Sequence, residues 1–157
     1  MKIKEAIGKL SIVFILIFIG GSIYLFRASK VLDVVGVRIH DHDLQVLVAE
    51  TITQKHKGLG KRDTLDPYDG MLFSYKKAGR YGIVMRDMRF PIDVVWLNDA
   101  VIIDMAAHVA LEPGVKEWEL TPYYPRGDAD VFIEFPAGAI EKYGMALGDT
   151  FEPIYQE

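Results

Sequence analysis

The sequence predicts a mainly β, α+β domain: a compact, partly closed barrel or sandwich of short antiparallel strands with two short helices, preceded by an N-terminal transmembrane helix. Three observations lead there. Short runs of alternating apolar residues recur between clusters of Gly, Pro, Asn and Asp, the pattern of strands joined by tight turns. No such run is followed by a long helical segment of the kind that carries a parallel crossover. One uncharged apolar stretch stands apart at the N-terminus.

That stretch, "LSIVFILIFIGGSIYLF" at residues 10–26, holds 17 residues without a charge. As a helix it would span about 26 Å. That crosses a bilayer core of about 30 Å with slight thinning or snorkelling. Apolar residues occupy every face, unlike an amphipathic core helix. Lys2, Lys4 and Lys9 precede it against one acid, Glu5, while Arg27 and Lys30 follow. The bias predicts a single-pass anchor with the domain outside the cytoplasm. A cleavable signal peptide is the competing reading, but bulky Phe26 two positions before Ala28 suits cleavage poorly. The expected organisation is an anchor and linker over residues 1–30 and one domain over residues 31–157.

Composition narrows the classes. The 157 residues include no cysteine, so disulfides, thiolate metal sites and cysteine nucleophiles are excluded. Residues 31–157 carry 13 basic against 21 acidic side chains, a net of −8. Such acidity argues against nucleic acid or anionic headgroups as partners of the domain.

Within the domain, "VVGVRIHDHDLQVLVAE" from Val34 predicts a hairpin turning at the HDHD step. Thr51 with Gln54 forms a T-x-x-Q capping box, and Gly58 and Gly60 stop the helix it starts. "DTLDPYDG" is a loop, "GMLFSY" a strand and "KKAGRYG" a turn. A strand is expected from about Tyr81, resuming after Pro91 to Leu97, and "LNDA" turns it into "VIIDMAAHVAL" as a second hairpin. "EPGVKEWELTPYYPRGDAD", with three prolines, is a long irregular loop. "VFIEFP" is a strand, "AGAIEKYG" a short helix, and a last strand follows Gly148.

The succession "VAET", "GLGKR", "GMLF", "VMRDMRFPIDVVWL", "FIEFPAG" and "GD" resembles the uncharacterised DUF192 family, also called UPF0127. The likeness runs from about Val46 to Thr150. Its most specific pieces are the Gly-Met-Leu-Phe at Gly70 and the spacing of Met85, Pro91 and Asp93. The resemblance implies a compact β-rich domain, often secreted or tethered to a membrane, with no assigned activity. Gly60, Val84 and Asp87 depart from the family pattern, where a methionine, an aromatic residue and an asparagine are usual.

Candidate site residues are charges in apolar company. Asp93 follows Pro91-Ile92 and precedes Val94-Val95-Trp96, so its carboxylate needs compensation. Arg86, Arg89 and Arg62 are the expected cations, because a guanidinium meets a carboxylate bidentately. Such a pair could fix strand register or floor a polar pocket. Glu134 in "VFIEFP" shares a strand face with Phe132, exposed or inward. If inward, it could pair with Asp87 or Asp93 in the manner of glycosidase carboxylates. Trp118 and Tyr124, in the proline-bearing loop, suit a ligand rim or a lid on the core. His40 and His42 with Asp41 and Asp43 read as a decorated turn rather than a metal site, and His56 as solvated. No nucleophile elbow, P-loop or dinucleotide fingerprint is present.

The expected function is a non-catalytic binding or accessory module at the cell envelope, without a cofactor. Its ligand is expected to be a small polar molecule, a glycan or a peptide. The contact surface would be Arg62, Arg86, Asp87, Asp93 and Glu134, rimmed by Trp118 and Tyr124. An envelope glycan hydrolase and a purely structural envelope domain are the alternatives.

Overall fold

The computed structural model describes residues 15, 17–21 and 32–155. The chain divides into two units, Met1–Leu32 and Asp33–Glu157. In the first, residues 17–21 are helical. The membrane helix expected at residues 10–26 lies mostly outside the described residues. Among the described residues no helix is long and apolar enough to cross a membrane.

The second unit is a mixed sheet of seven strands with two short helices. The elements are β1 (Asp33–Ile39), β2 (His42–Ala49), α1 (Ile52–Lys57), β3 (Gly70–Gly79), β4 (Ile92–Asn98), β5 (Val101–Val109), β6 (Ala129–Pro136), α2 (Ala139–Lys142) and β7 (Glu152–Ile154). A 3₁₀ turn, Glu117–Glu119, interrupts the long loop before β6. The strand order is β5-β4-β6-β3-β2-β1-β7.

Both expected hairpins form, β1 on β2 and β4 on β5. Asp99 and Ala100, with φ of 51° and 66°, supply the left-handed conformations that the second turn needs. Two expectations are corrected. The sheet is not purely antiparallel, because β2 pairs with β3 in parallel, Val46 opposite Gly70 through Ala49 opposite Phe73. The crossover is made by the whole connection between these strands, in which the short α1 suffices as cover. The sheet is also not closed into a barrel. A single bridge, Val101 to Thr150, links the β5 end to the segment leading into β7.

The strand expected from Tyr81 is a loop. Ile83 makes only an isolated bridge to Tyr123, with two backbone hydrogen bonds of 2.9 Å. Its apolar residues are buried by packing onto the sheet, not by joining it: Ile83 and Met85 are in the core, and the Trp96 indole N–H donates to Tyr81 O at 2.9 Å.

Alternation gives the sheet two differently covered faces. On one, Val95, Leu97, Ile133 and Phe135 join Val37, Ile39, Leu44 and Val46, closed by Ala139, Tyr143, Met145 and Phe151 from around and beyond α2. On the other, Met71, Phe73, Val94, Trp96 and Phe132 are buried beneath α1 and the loop of residues 80–91. Gly70 opens β3 because a Cβ there would lie 2.9 Å from the Phe135 ring, closer than real packing permits. This accounts for the glycine of the Gly-Met-Leu-Phe run.

The predicted capping box is present. Gln54 N–H donates to Thr51 Oγ1 at 3.2 Å, and Thr51 N–H to Gln54 Oε1 at 2.9 Å. Six residues cannot sustain a helix unaided. Thr51→Ala is expected to cost about 1 kcal/mol, read as a lower denaturation midpoint with an unchanged slope.

Candidate functional site

Between α1, the loop of residues 80–91 and the exposed end of the β3–β6 pair lies a cleft of about 360 Å³. Phe73 and Tyr75 of β3 and Phe132 and Glu134 of β6 line its sheet side. Cross-strand register places them together: Met71 opposes Glu134 and Phe73 opposes Phe132, so the aromatic rings and the carboxyl share one face. Phe73 and Phe132 stack with centroids 4.5 Å apart, and Tyr75 stacks on Tyr81 at 3.6 Å. Lys55, His56 and Lys57 of α1 and Arg86 of the loop add the other titratable side chains of the lining, with Ile83 and Ile92 among its apolar ones. The volume falls within the range of small-molecule sites, roughly 300–1,000 Å³.

Among the described residues Glu134 is the only acid lining this cleft. It is buried, at 8% exposure, and makes no hydrogen bond or ion pair among the described residues. Burial without a partner disfavours the charged form and pushes its carboxyl up to about 8. Near neutral pH it is therefore mainly a protonated acid, able both to donate and to accept a hydrogen bond. The neighbouring Tyr75 hydroxyl is also raised, first by burial and then by Tyr81 and Glu134. Lys55 donates to Ser74 O and rests its ammonium 4.2 Å from the centroid of the Tyr75 ring. Arg86 pairs with Glu117 at 2.5 Å and donates to His56 O at 2.8 Å, tying the proline-bearing loop and α1 to the cleft wall.

The other expected site residues lie elsewhere. Asp93 opposes Phe135, whereas Glu134 opposes Val94, so the two carboxyls are on opposite faces of the sheet. Asp93 is completely buried, but no guanidinium among the described residues reaches it. The compensating charge expected from Arg62, Arg86 or Arg89 is replaced by three backbone amides: His108 N–H at 2.8 Å on Oδ1, and Gly138 and Ile140 N–H at 3.0 and 2.9 Å on Oδ2. Partial charges of three convergent N–H dipoles stabilise a carboxylate as a cation does. Asp93 therefore pins the end of β5 and the start of α2 to β4.

Asp87, at φ 55°, pairs with Lys61 at 3.3 Å and faces a separate hollow against residues 111–120. Arg89 pairs with Asp63 at 2.6 Å. Arg62 keeps its Nε buried without a hydrogen-bond partner among the described residues. Trp118 is 79% exposed, under the Lys116 ammonium at 5.4 Å from the ring centroid. Tyr124 packs its ring on Gly82, where a Cβ would come within 2.5 Å of it. Gly82 lines the cleft, so Tyr124 backs the wall while Trp118 projects away from the core. Of the seven candidates, the structure brings only Arg86 and Glu134 into the cleft.

The histidine-rich turn is engaged in packing. His40 meets Tyr143 O and Asp149 Oδ2, each at 3.1 Å, and the His42 ring lies 5.2 Å from that of Tyr143. Among the described residues no cluster of three or more His, Cys, Asp or Glu side chains is arranged to hold a metal. Sequence reasoning missed Lys55, Lys57, Phe73 and Tyr75 as cleft residues, and took His56 as merely solvated.

Two solved structures share the fold. One is a Sinorhizobium meliloti 1021 protein described provisionally as a transcription regulator, with a TM-score of 0.70 and 23% identity; the match covers 78% of this chain and 95% of that one. The other is a protein of unknown function from Novosphingobium aromaticivorans DSM 12444, with a TM-score of 0.69 and 23% identity, covering 78% and 87%. No curated protein matches the chain. The sequence profile of the family described as DUF192, uncharacterised ACR, matches residues 35–153. That span holds every strand from β2 to β6, both helices and the whole cleft lining, and the chain belongs to the DUF192 family.

Proposed function

We propose that this protein is a non-catalytic binding module of the cell envelope, tethered by its N-terminal apolar segment, with the cleft over the β3–β6 pair as its ligand site. The observation that carries this reading is Glu134: a buried, unpartnered carboxyl at the floor of an aromatic cleft. Its carboxyl oxygens open into the cleft without a protein partner, where a ligand can reach them. A hydrogen bond made there, in a half-dry site, is stronger than one made in open water. The absence of a second acid from the lining favours binding over glycoside cleavage, which uses two carboxyls flanking one bond. The envelope location rests on residues 10–26 and on the flanking lysines.

The test is calorimetric titration of the full-length chain in detergent micelles against envelope glycans and short peptides, beside Glu134→Leu. A ligand is expected to bind the native protein and to lose at least tenfold in affinity to the variant, whose thermal stability is retained. Protease added to intact spheroplasts is expected to degrade the domain. A panel without binders, or binding that ignores Glu134→Leu, overturns the ligand site; protection of the domain overturns the location.

A further inference from the structure

We propose that the cleft takes the carboxylate of a small organic acid, with its apolar body against the Phe73–Tyr75–Phe132 floor and its acid group between Glu134 and the lysines of α1. The inference rests on the binding reading above and adds the chemical class of the ligand.

Charge complementarity points to an anion. Residues 31–157 carry a net of −8, yet the lining of this cleft is cationic: Lys55, Lys57 and Arg86 against Glu134 alone among the described residues. Arg86 is ion-paired with Glu117, although its buried Nε makes no well-directed hydrogen bond among the described residues. Lys57 has no ion pair among the described residues, and Lys55 has only a carbonyl and a ring. A ligand ammonium would meet these lysines at short range, and the Tyr75 face that would attract it is already covered by Lys55. An incoming carboxylate meets the opposite situation.

Glu134 adds a specific contact. Tyr75 from β3 interacts with it electrostatically, and the other titratable groups lining the same cleft are Lys55, His56 and Lys57 from α1 and Arg86 from the loop; β4 contributes only apolar Ile92 and Val94. In its protonated form Glu134 donates one O–H, and a hydrogen bond from an acid to a carboxylate is short and charge-assisted. A ligand carboxylate would therefore bind while Glu134 keeps its proton and be repelled once it ionises. Phe73, Phe132 and Ile83 supply an apolar surface that rewards a hydrocarbon body.

The probes are 4-phenylbutyrate, its neutral amide and 4-phenylbutylamine, titrated into the full-length protein at pH 6 and pH 9.5. Glu134→Leu is the control for partition into micelles. The acid is expected to bind at pH 6 at least tenfold more tightly than the amide or the amine, and to weaken at least tenfold at pH 9.5. Glu134→Gln, which keeps an N–H donor but cannot ionise, is expected to abolish that pH dependence, and Lys57→Glu to weaken the acid at both pH values. Tighter binding of the amine, equal binding of all three, pH-independent binding of the acid, or no binding by any probe overturns the inference. If the amine or amide, or a glycan or peptide from the panel, binds in a Glu134-dependent way instead, the ligand site stands and only its proposed chemistry falls.

Discussion

Glu134→Gln is expected to raise the thermal midpoint strongly at pH 9 and hardly at all at pH 5. The carboxyl has an ordinary value of 4.5 when exposed and is pushed up to about 8 by burial in the folded chain. Below pH 4.5 it is protonated in both states and its ionisation costs nothing. Between 4.5 and 8 the unfolded chain gives up this proton while the folded chain retains it. Unfolding then releases a proton, so stability falls as pH rises through that window. Above 8 both forms are ionised and the loss is complete. At about 1.4 kcal/mol per pH unit, the penalty at pH 9 is on the order of 5 kcal/mol. Glutamine has nearly the same shape and never ionises, so it escapes the penalty. The gain corresponds to roughly 10–15 °C for a domain of this size. Calorimetry of both proteins across pH 5–9 checks it, because groups that do not interact with Glu134 cancel in the difference, and Tyr75, which does, is raised above this range. Parallel curves would mean that Glu134 is not buried in the folded protein.

Asp93→Ala is expected to destabilise the domain by roughly 3–9 kcal/mol, since it strands the amides of His108, Gly138 and Ile140 at about 1–3 kcal/mol each. That is a large part of the 5–15 kcal/mol typical of a whole domain. Asp93→Asn separates charge from geometry. One of its two positions becomes an NH₂ group that points at an N–H and cannot accept, so about 2–3 kcal/mol is expected to be lost although volume is conserved. Denaturant titration reads both variants. A loss below about 1 kcal/mol for Asp93→Ala would show that water satisfies these amides in its place.

The two residues also show how far the sequence was legible. Both hairpins, the capping box and the final short helix follow from periodicity and turn chemistry, which are local signals. The parallel β2–β3 pairing does not, because a connection with only a six-residue helix gives no crossover signature. The run from Gly82 to Met85 looked like a strand because burial in a loop and burial in a sheet select the same apolar residues. For Asp93 the sequence correctly demanded compensation, yet backbone amides have no residue code, so arginines stood in their place. Glu134 was recognisable as an anomaly on the face of Phe132. Which face the helix of residues 52–57 covers depends on pairings distant in the chain. That is why Lys55, Lys57, Phe73 and Tyr75 were not gathered around it in advance.

The position of β6 has a consequence for how the chain reaches this state. It lies between β4 and β3, yet it is synthesised after both. Each earlier hairpin can close on its own within microseconds, but the two halves of the sheet have nothing to join them until residues 129–136 arrive. Until then β3 and β4 each present an unpaired edge, an invitation to self-association. The nascent protein thus spends the interval before residues 129–136 emerge as two unfinished ribbons, the stage at which a holdase would shield its open edges.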